Sequence, residues 1–230
     1  MTTLGILGTG QAGSTLARAA VTAGCDVVLA NSRGPETLRD LVSDLGPRAR
    51  AAGAEEAAAL ADVAVLAFPY APGARLPVEQ LAGKVVVDTN NYMAWRDGVI
   101  AEVESGRATV HELRQGQLPA SAVVKAFTHV QFHGRHPVRV PSDALPGLLR
   151  LARPAGAPHR KALVVSSDSP EAVEVVTRLY DDLGFDAVDN SPLSESWRSA
   201  PGTPMWHHHV DGRGRQELER DLRRATRPGG

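Results

Sequence analysis

"GILGTGQAGSTL", Gly5 to Leu16, is the stretch on which the reading of this chain turns. A short apolar run from Thr3 to Gly8 leads into glycines spaced G-x-G-x-x-G, at Gly8, Gly10 and Gly13. Beyond them Leu16, Ala19, Ala20 and Ala23 recur at helical spacing until Gly24, and Asp26 to Ala30 then reads as a second strand. Strand, turn, helix and strand are the context in which this glycine pattern carries meaning. Gly8 permits a tight turn after Leu7, with Thr9 inside it. Gly10 lets a pyrophosphate approach the backbone, and Gly13 lets the helix pack closely. The amides around Gln11 and Ala12 then face phosphate oxygens with the helix dipole behind them.

The end of the second strand decides which dinucleotide fits. Domains of this kind that take NAD place an Asp or Glu there to accept from the ribose hydroxyl. This chain has Asn31, Ser32 and Arg33 instead. No carboxylate repels a 2′-phosphate, and a hydroxyl and a guanidinium stand ready to bind one. NADP(H) is therefore the expected cofactor.

Working outward, helical segments at Pro35–Leu45, Glu55–Ala61 and Val78–Leu81 alternate with apolar runs at Arg48–Ala52, Asp62–Phe68 and Lys84–Thr89. The alternation predicts βαβ units, hence an α/β fold of the Rossmann type, a doubly wound and mostly parallel sheet. The polar stretch "ESGRATVHELRQGQ", Glu104 to Gln117, carries no assigned element. Val123 to Phe132 reads as a sixth strand with its exit loop. His133 to Ala157 reads as a basic, Pro- and Gly-rich segment with a short helix around Leu145–Leu151. A strand at Lys161–Ser166, a helix at Pro170–Leu183 and a strand at Phe185–Asp189 predict a small C-terminal α/β portion. Ser191 to Trp206 shows little periodicity, and Gln216–Arg224 is a charged terminal helix. Residues 1–140 are thus expected to form the nucleotide domain and 141–230 a substrate or dimerisation portion.

Composition narrows the classes. The chain has 230 residues, 43% hydrophobic and 22% charged, with a net charge of −1. That is globular, and it gives no electrostatic footprint for nucleic acid or an anionic membrane. No apolar run is long enough to span a bilayer, and no secretory signal pattern is read at the N-terminus, so a cytoplasmic location is expected. Cys25 is the single cysteine, which excludes a disulfide framework or a cysteine zinc cluster. His207, His208 and His209 are consecutive, so they cannot converge on one ion from a regular element, and no metal is expected.

Five segments, in order along nearly the whole chain, carry a resemblance: "GILGTGQAGSTLA" (Gly5–Ala17), "VVLANSR" (Val27–Arg33), "GKVVVDTNNY" (Gly83–Tyr92), "VVKAFTH" (Val123–His129) and "ESWRSAPGTPMW" (Glu195–Trp206). They resemble the NADP oxidoreductases dependent on the deazaflavin coenzyme F-420. The resemblance implies a Rossmann domain with a small C-terminal portion, a second substrate entering between them, and a homodimer. Two departures stand out. Thr128 and His129 follow "VVKAF" where the family usually continues with Asn, and the 133–157 segment is longer and more basic.

Hydride transfer asks the protein to orient two rings and exclude water, and ligands of open α/β sheets bind at the carboxyl ends of strands. On that criterion Phe68, Pro69 and Tyr70 line the nicotinamide ribose, and Asn90 hydrogen-bonds nearby. Lys125, His129 and His133, around the end of the sixth strand, are the candidates for proton transfer. The leading expectation is hydride exchange between NADPH and a deazaflavin. A small imine or ketone metabolite is the alternative acceptor, and a non-catalytic NADP(H) sensor is the alternative of another class.

Overall fold

Val63-Ala64-Val65-Leu66 contains no polar side chain and every residue in it is buried, because helices cover both faces of the strand it forms. The computed structural model describes residues 2–132, 145–208 and 210–227. Its strands are β1 (Thr3–Leu7), β2 (Asp26–Ala30), β3 (Ala49–Ala51), β4 (Val63–Leu66), β5 (Val85–Asp88), β6 (Ala122–Lys125), β7 (Ala162–Ser167) and β8 (Asp186–Asp189). They form one sheet in the order β3-β2-β1-β4-β5-β6-β7-β8. All neighbours are parallel except β6 and β7. The chain winds outward from β1 to β3, returns to β4 on the other side of β1, and winds outward again. This is the doubly wound Rossmann arrangement.

The helices are α1 (Gln11–Thr22), α2 (Arg39–Leu45), α3 (Ala54–Leu60), α4 (Val78–Leu81), α5 (Ala94–Asp97), α6 (Ala101–Glu104), α7 (Val110–Gln117), α8 (Gly147–Arg150), α9 (Pro170–Asp182) and α10 (Arg215–Arg224). Strand alternation sorts the core into two layers. Leu4, Ile6, Val27, Leu29, Val63 and Val65 pack with Leu16 of α1 and with Val176 and Leu179 of α9. Leu7, Val28, Ala64, Leu66, Val86 and Val123 pack with Ala57 and Ala58 of α3 on the opposite face. Leu218 and Leu222 of α10 cover Val164 and Val188 at the far edge. No helix among the described residues is long and apolar enough to cross a membrane.

Two regions hold elements that the sequence does not announce. The polar stretch before β6 contains α7, opened by a reciprocal capping box: Glu112 N–H donates to Thr109 Oγ1, and Thr109 N–H to Glu112 Oε2. Ser191–Trp206 contains two 3-10 turns, Leu193–Ser199 and Pro204–His208, held by tertiary contacts rather than by periodic apolar residues. The small C-terminal α/β portion supplies β7 and β8, which continue the same sheet through the β6–β7 pairing. The expected boundary at residue 140 lies outside the described residues.

The glycine turn is closed by sterics. Gly8 has φ +98°, and its N–H donates to Ala30 O at 2.8 Å. A Cβ on Gly13 would sit 1.9 Å from the Gly8 carbonyl oxygen, whereas one on Gly10 would meet nothing within 4 Å. Gly13→Ala should therefore lower stability by about 1–3 kcal/mol through overpacking, and Gly10→Ala should leave the thermal midpoint close to wild type. Calorimetric melting of both variants checks the contrast. Equal midpoints would show that the turn relaxes around the added methyl group.

Candidate functional site

Two cavities open at the carboxyl ends of the parallel strands. The first, of about 540 Å³, lies at the switch point between β1 and β4, where open α/β sheets bind their ligands. Gly8, Thr9 and Gly10 form its floor, Asn31, Ser32 and Arg33 one wall, and Phe68, Pro69, Arg75 and Leu76 the other. The sequence reading named eight of these residues and missed Arg75, which comes from the Pro- and Gly-rich loop after β4. Asn31 builds the wall: its Oδ1 accepts the Arg33 N–H at 2.9 Å and its Nδ2 donates to Thr37 Oγ1 at 2.9 Å. This Asx-type turn presents Ser32 and Arg33 at the cavity edge. Gln11, Ala12 and Gly13 open α1, whose first helical hydrogen bond is Ser14 N–H to Gly10 O, so their own N–H groups have no helical acceptor.

The cavity fits a phosphorylated dinucleotide. A helix N-terminus lies over its floor, the open space at Gly10 admits a close ligand, and no carboxylate lines it among the described residues. Arg33 and Arg75 have no ion-pair partner among the described residues, so both guanidinium groups are available to phosphate oxygens.

The second cavity, a chamber of about 250 Å³, lies past β5 and β6. Asn90, Asn91, His111, Lys125, Ser196 and Trp197 form its polar lining. Val103, Ala108, Ala200 and Pro201 are apolar wall, and Tyr92, Glu104 and Arg227 bring further polar groups. The β5–β6 register places Lys125 directly opposite Asp88. Both are fully buried at the ends of their strands, on the face that α7 covers. Asp88 Oδ2 lies 3.4 Å from Arg114 Nε and 3.3 Å from His111 Nδ1, two residues one turn apart on α7. Burial works to raise the Asp88 carboxyl, but the His111 ring and the Arg114 guanidinium hold it below the ordinary carboxylate value. Burial keeps His111 below its usual value despite the adjacent carboxylate. The Lys125 ammonium is driven down to about 7 by burial, which the Asp88 charge only partly offsets. Its Nζ donates to Ser196 O at 2.6 Å.

The remaining sequence candidates divide. Asn90 lines the chamber. Tyr70 and Phe68 lie against the Arg114 guanidinium, their ring centroids at 5.1 and 5.4 Å, so Tyr70 braces the buried ion cluster and is not part of the nucleotide cavity wall. His129 lines neither cavity. It is buried, and its Nε2 accepts the Val164 N–H at 2.8 Å, so that lone pair already serves the β7 backbone. His129, expected from the sequence as a proton-transfer candidate, is thus engaged with β7. His133 lies outside the described residues, as do His209 and the side chains of His207 and His208. No cluster of three potential metal ligands occurs among the described residues.

His111 and Arg114 were hidden in the stretch left without an element. The signal that locates them is Thr109-x-x-Glu112, a capping box that sets the start of α7 and so places positions 111 and 114 on one helix face.

The Lys125 environment has a measurable consequence. Unfolded, this lysine binds its proton up to about pH 10.5; folded, it releases it near 7. Between these values the unfolded state holds more protons, so this group makes stability rise with pH. Urea unfolding across that window should show wild type gaining on Lys125→Met as pH increases. Parallel pH dependences would mean that Lys125 stays charged in the native state.

Residues 3–92 match the family model described as NADP oxidoreductase, coenzyme F420-dependent. The Escherichia coli (strain K12) protein YjhV is 39% identical over 72 residues, a match spanning 31% of this chain and 47% of that protein's length. Among solved structures, the hypothetical protein SMa0349 from Sinorhizobium meliloti is similar with a TM-score of 0.68 at 27% identity, over 89% of this chain and 93% of that one. A protein of Arthrobacter sp. FB24, provisionally described as an F420-dependent NADP-reductase, gives a TM-score of 0.63 at 24% identity over 85% and 87%. An imine reductase from Myxococcus stipitatus in complex with NADP+ shares the fold, with a TM-score of 0.53 at 16% identity over 84% and 56%. The family match is thus confined to residues 3–92, the segment that builds the nucleotide cavity.

Proposed function

We propose that this protein is an NADP(H)-dependent oxidoreductase whose hydride acceptor enters the chamber beside Lys125. The observation that carries the reading is the nucleotide cavity, with its glycine turn at one end and Ser32, Arg33 and Arg75, with no carboxylate, at the other. When bound, NADPH would supply the hydride. The protein's own residues position and enclose: α1 amides face the pyrophosphate, Ser32 and the two arginines hold the 2′-phosphate, and Phe68 and Pro69 form an apolar wall. Asn90, which follows β5, lines the acceptor chamber. Lys125 is the group there that can hold or release a proton near neutrality.

A deazaflavin is the first acceptor to test, because the family over residues 3–92 is described by that coenzyme. The small chamber favours a compact imine or ketone as the second. A homodimer in the cytoplasm completes the reading; the dimer rests on the family resemblance alone.

Arg33→Ala should weaken NADPH binding by roughly tenfold or more, the loss of a charge-assisted phosphate contact, and should change NADH binding little. Fluorescence titration with each nucleotide reads the difference, and equal losses would remove the 2′-phosphate assignment. Absorbance of NADPH, followed with a deazaflavin, free flavin and a panel of cyclic imines and ketones, identifies the acceptor. Turnover confined to imines or ketones would end the deazaflavin reading, and tight NADPH binding without any turnover would favour a nucleotide sensor.

A further inference from the structure

The chamber past β5 and β6 holds more hydrogen-bond donors than its own residues use. Asn90 Nδ2 and Trp197 Nε1 are buried and without a partner, although both residues line the cavity. Lys125 directs one N–H to Ser196 O, and no carboxylate lies within salt-bridge distance of its Nζ among the described residues. Asn91 Oδ1 is an acceptor left over, and Ser196 Oγ is a hydroxyl that can serve either way. Buried donors without partners are costly, so the set calls for a ligand rich in acceptors.

Charge points the same way. From β5, Asp88 faces Lys125; from α7, His111 and Arg114 do; from the 3-10 turn Leu193–Ser199 comes only a carbonyl. Asp88 and Arg114 cancel and His111 is held neutral, so the cluster is balanced only while Lys125 is uncharged. A proton on Lys125 leaves one net positive charge inside the protein, because the Asp88 charge is already matched by Arg114. Glu104, Tyr92 and Arg227 also line the chamber. Arg227 is latched by Nη1 to Gly106 O at 2.7 Å and Nη2 to Ser194 O at 3.3 Å, with its guanidinium 5.5 Å from the Trp197 ring centroid.

We propose that the chamber is selective for a compact carboxylate-bearing ligand, held by Lys125, Asn90 and Trp197, and that Lys125 takes up a proton as the anion enters. The inference rests on reading this chamber as the acceptor's site, and it names the acceptor's class: a small carboxylate of a size that about 250 Å³ and the walls Val103, Ala108 and Pro201 admit.

The test is isothermal titration calorimetry on the full chain saturated with NADP+, using benzoate and the neutral isostere benzamide as probes. Run at about pH 8 in two buffers of different protonation heat, it reads proton uptake directly, because Lys125 is then mostly neutral. Benzoate should bind at least roughly tenfold tighter than benzamide, with close to one proton taken up. Lys125→Arg should keep the preference but lose the uptake, and Lys125→Met should lose both. NADPH fluorescence on each variant reports whether it is folded. Equal affinities, binding of neither probe, or proton uptake that persists in a folded Lys125→Met would overturn the proposal. Carboxylate binding in a protein that turns over NADPH with none of the deazaflavin, flavin, imine or ketone acceptors offered would instead keep the anion site and remove the acceptor reading, so the two failures are separable.

Discussion

The constraint on which the nucleotide end of the fold depends is the place where Gly13 meets the Gly8 carbonyl, and much else is arranged around it. With no side chain at 13, α1 begins directly against the end of β1, and a Cβ there would lie far inside contact distance of the turn. Gly5 extends the constraint to the other face of the same strand, where a side chain would come within 2.4 Å of the Ala57 carbonyl oxygen. The alanine-rich α3 can lie so close only because Gly5 offers it no Cβ. β1 is therefore gripped from both faces, and its turn is aimed by packing rather than by hydrogen bonds from side chains. That is why the N-terminus of α1 can be left open toward a ligand, since its position does not depend on one.

The two cavities handle charge in opposite ways. The nucleotide cavity keeps its cations at the surface, where Arg33 and Arg75 remain solvated until a phosphate arrives. The chamber buries its charges and balances them internally, Asp88 between Arg114 and His111, with Phe68 and Tyr70 lying against Arg114. Surface cations can be numerous because each is hydrated. Buried ones must be matched nearly one for one, so a single lysine opposite Asp88 is enough to make the site sensitive to the charge of whatever enters. Phe68 touches both systems, lining one cavity and the Arg114 cluster of the other.

What was legible in the sequence follows from how local each feature is. The glycine turn, Asn31-Ser32-Arg33 and the parallel strands up to β5 depend on neighbours within a few residues, and they stand where the periodicity placed them. Lys125 was legible too, as a cation at the end of a strand. The partners that give it meaning were not, because Asp88, His111 and Arg114 converge only through the β5–β6 register and the packing of α7. Trp197 and Ser196 come from a 3-10 turn with no periodic signal at all. His129 shows the matching limit: a histidine near a strand end stands out in one dimension, and only the fold shows that its Nε2 accepts from the β7 backbone.

The β6–β7 junction explains why the chamber exists where it does. A seventh parallel strand would have required another crossover helix over the end of β6. Instead β7 runs antiparallel, and the chain leaves β6 through Phe127, held at φ +59°. A bulky residue in that region is strained by about 1–3 kcal/mol, so something must hold it. Tyr180 of α9 does: its hydroxyl accepts the Phe127 N–H at 2.9 Å and donates to Val164 O at 2.9 Å, while the two rings meet edge to face at 4.8 Å. Thr15 of α1 then fastens the exit loop by donating to Phe132 O at 2.8 Å, tying it to the helix that opens the nucleotide site. The sharp exit turns the chain away immediately after Lys125, which leaves its ammonium at the carboxyl end of β6, under α7 and lining the chamber. In a continued parallel sheet that end would be covered by the next crossover; here the change of strand direction keeps it available for a ligand.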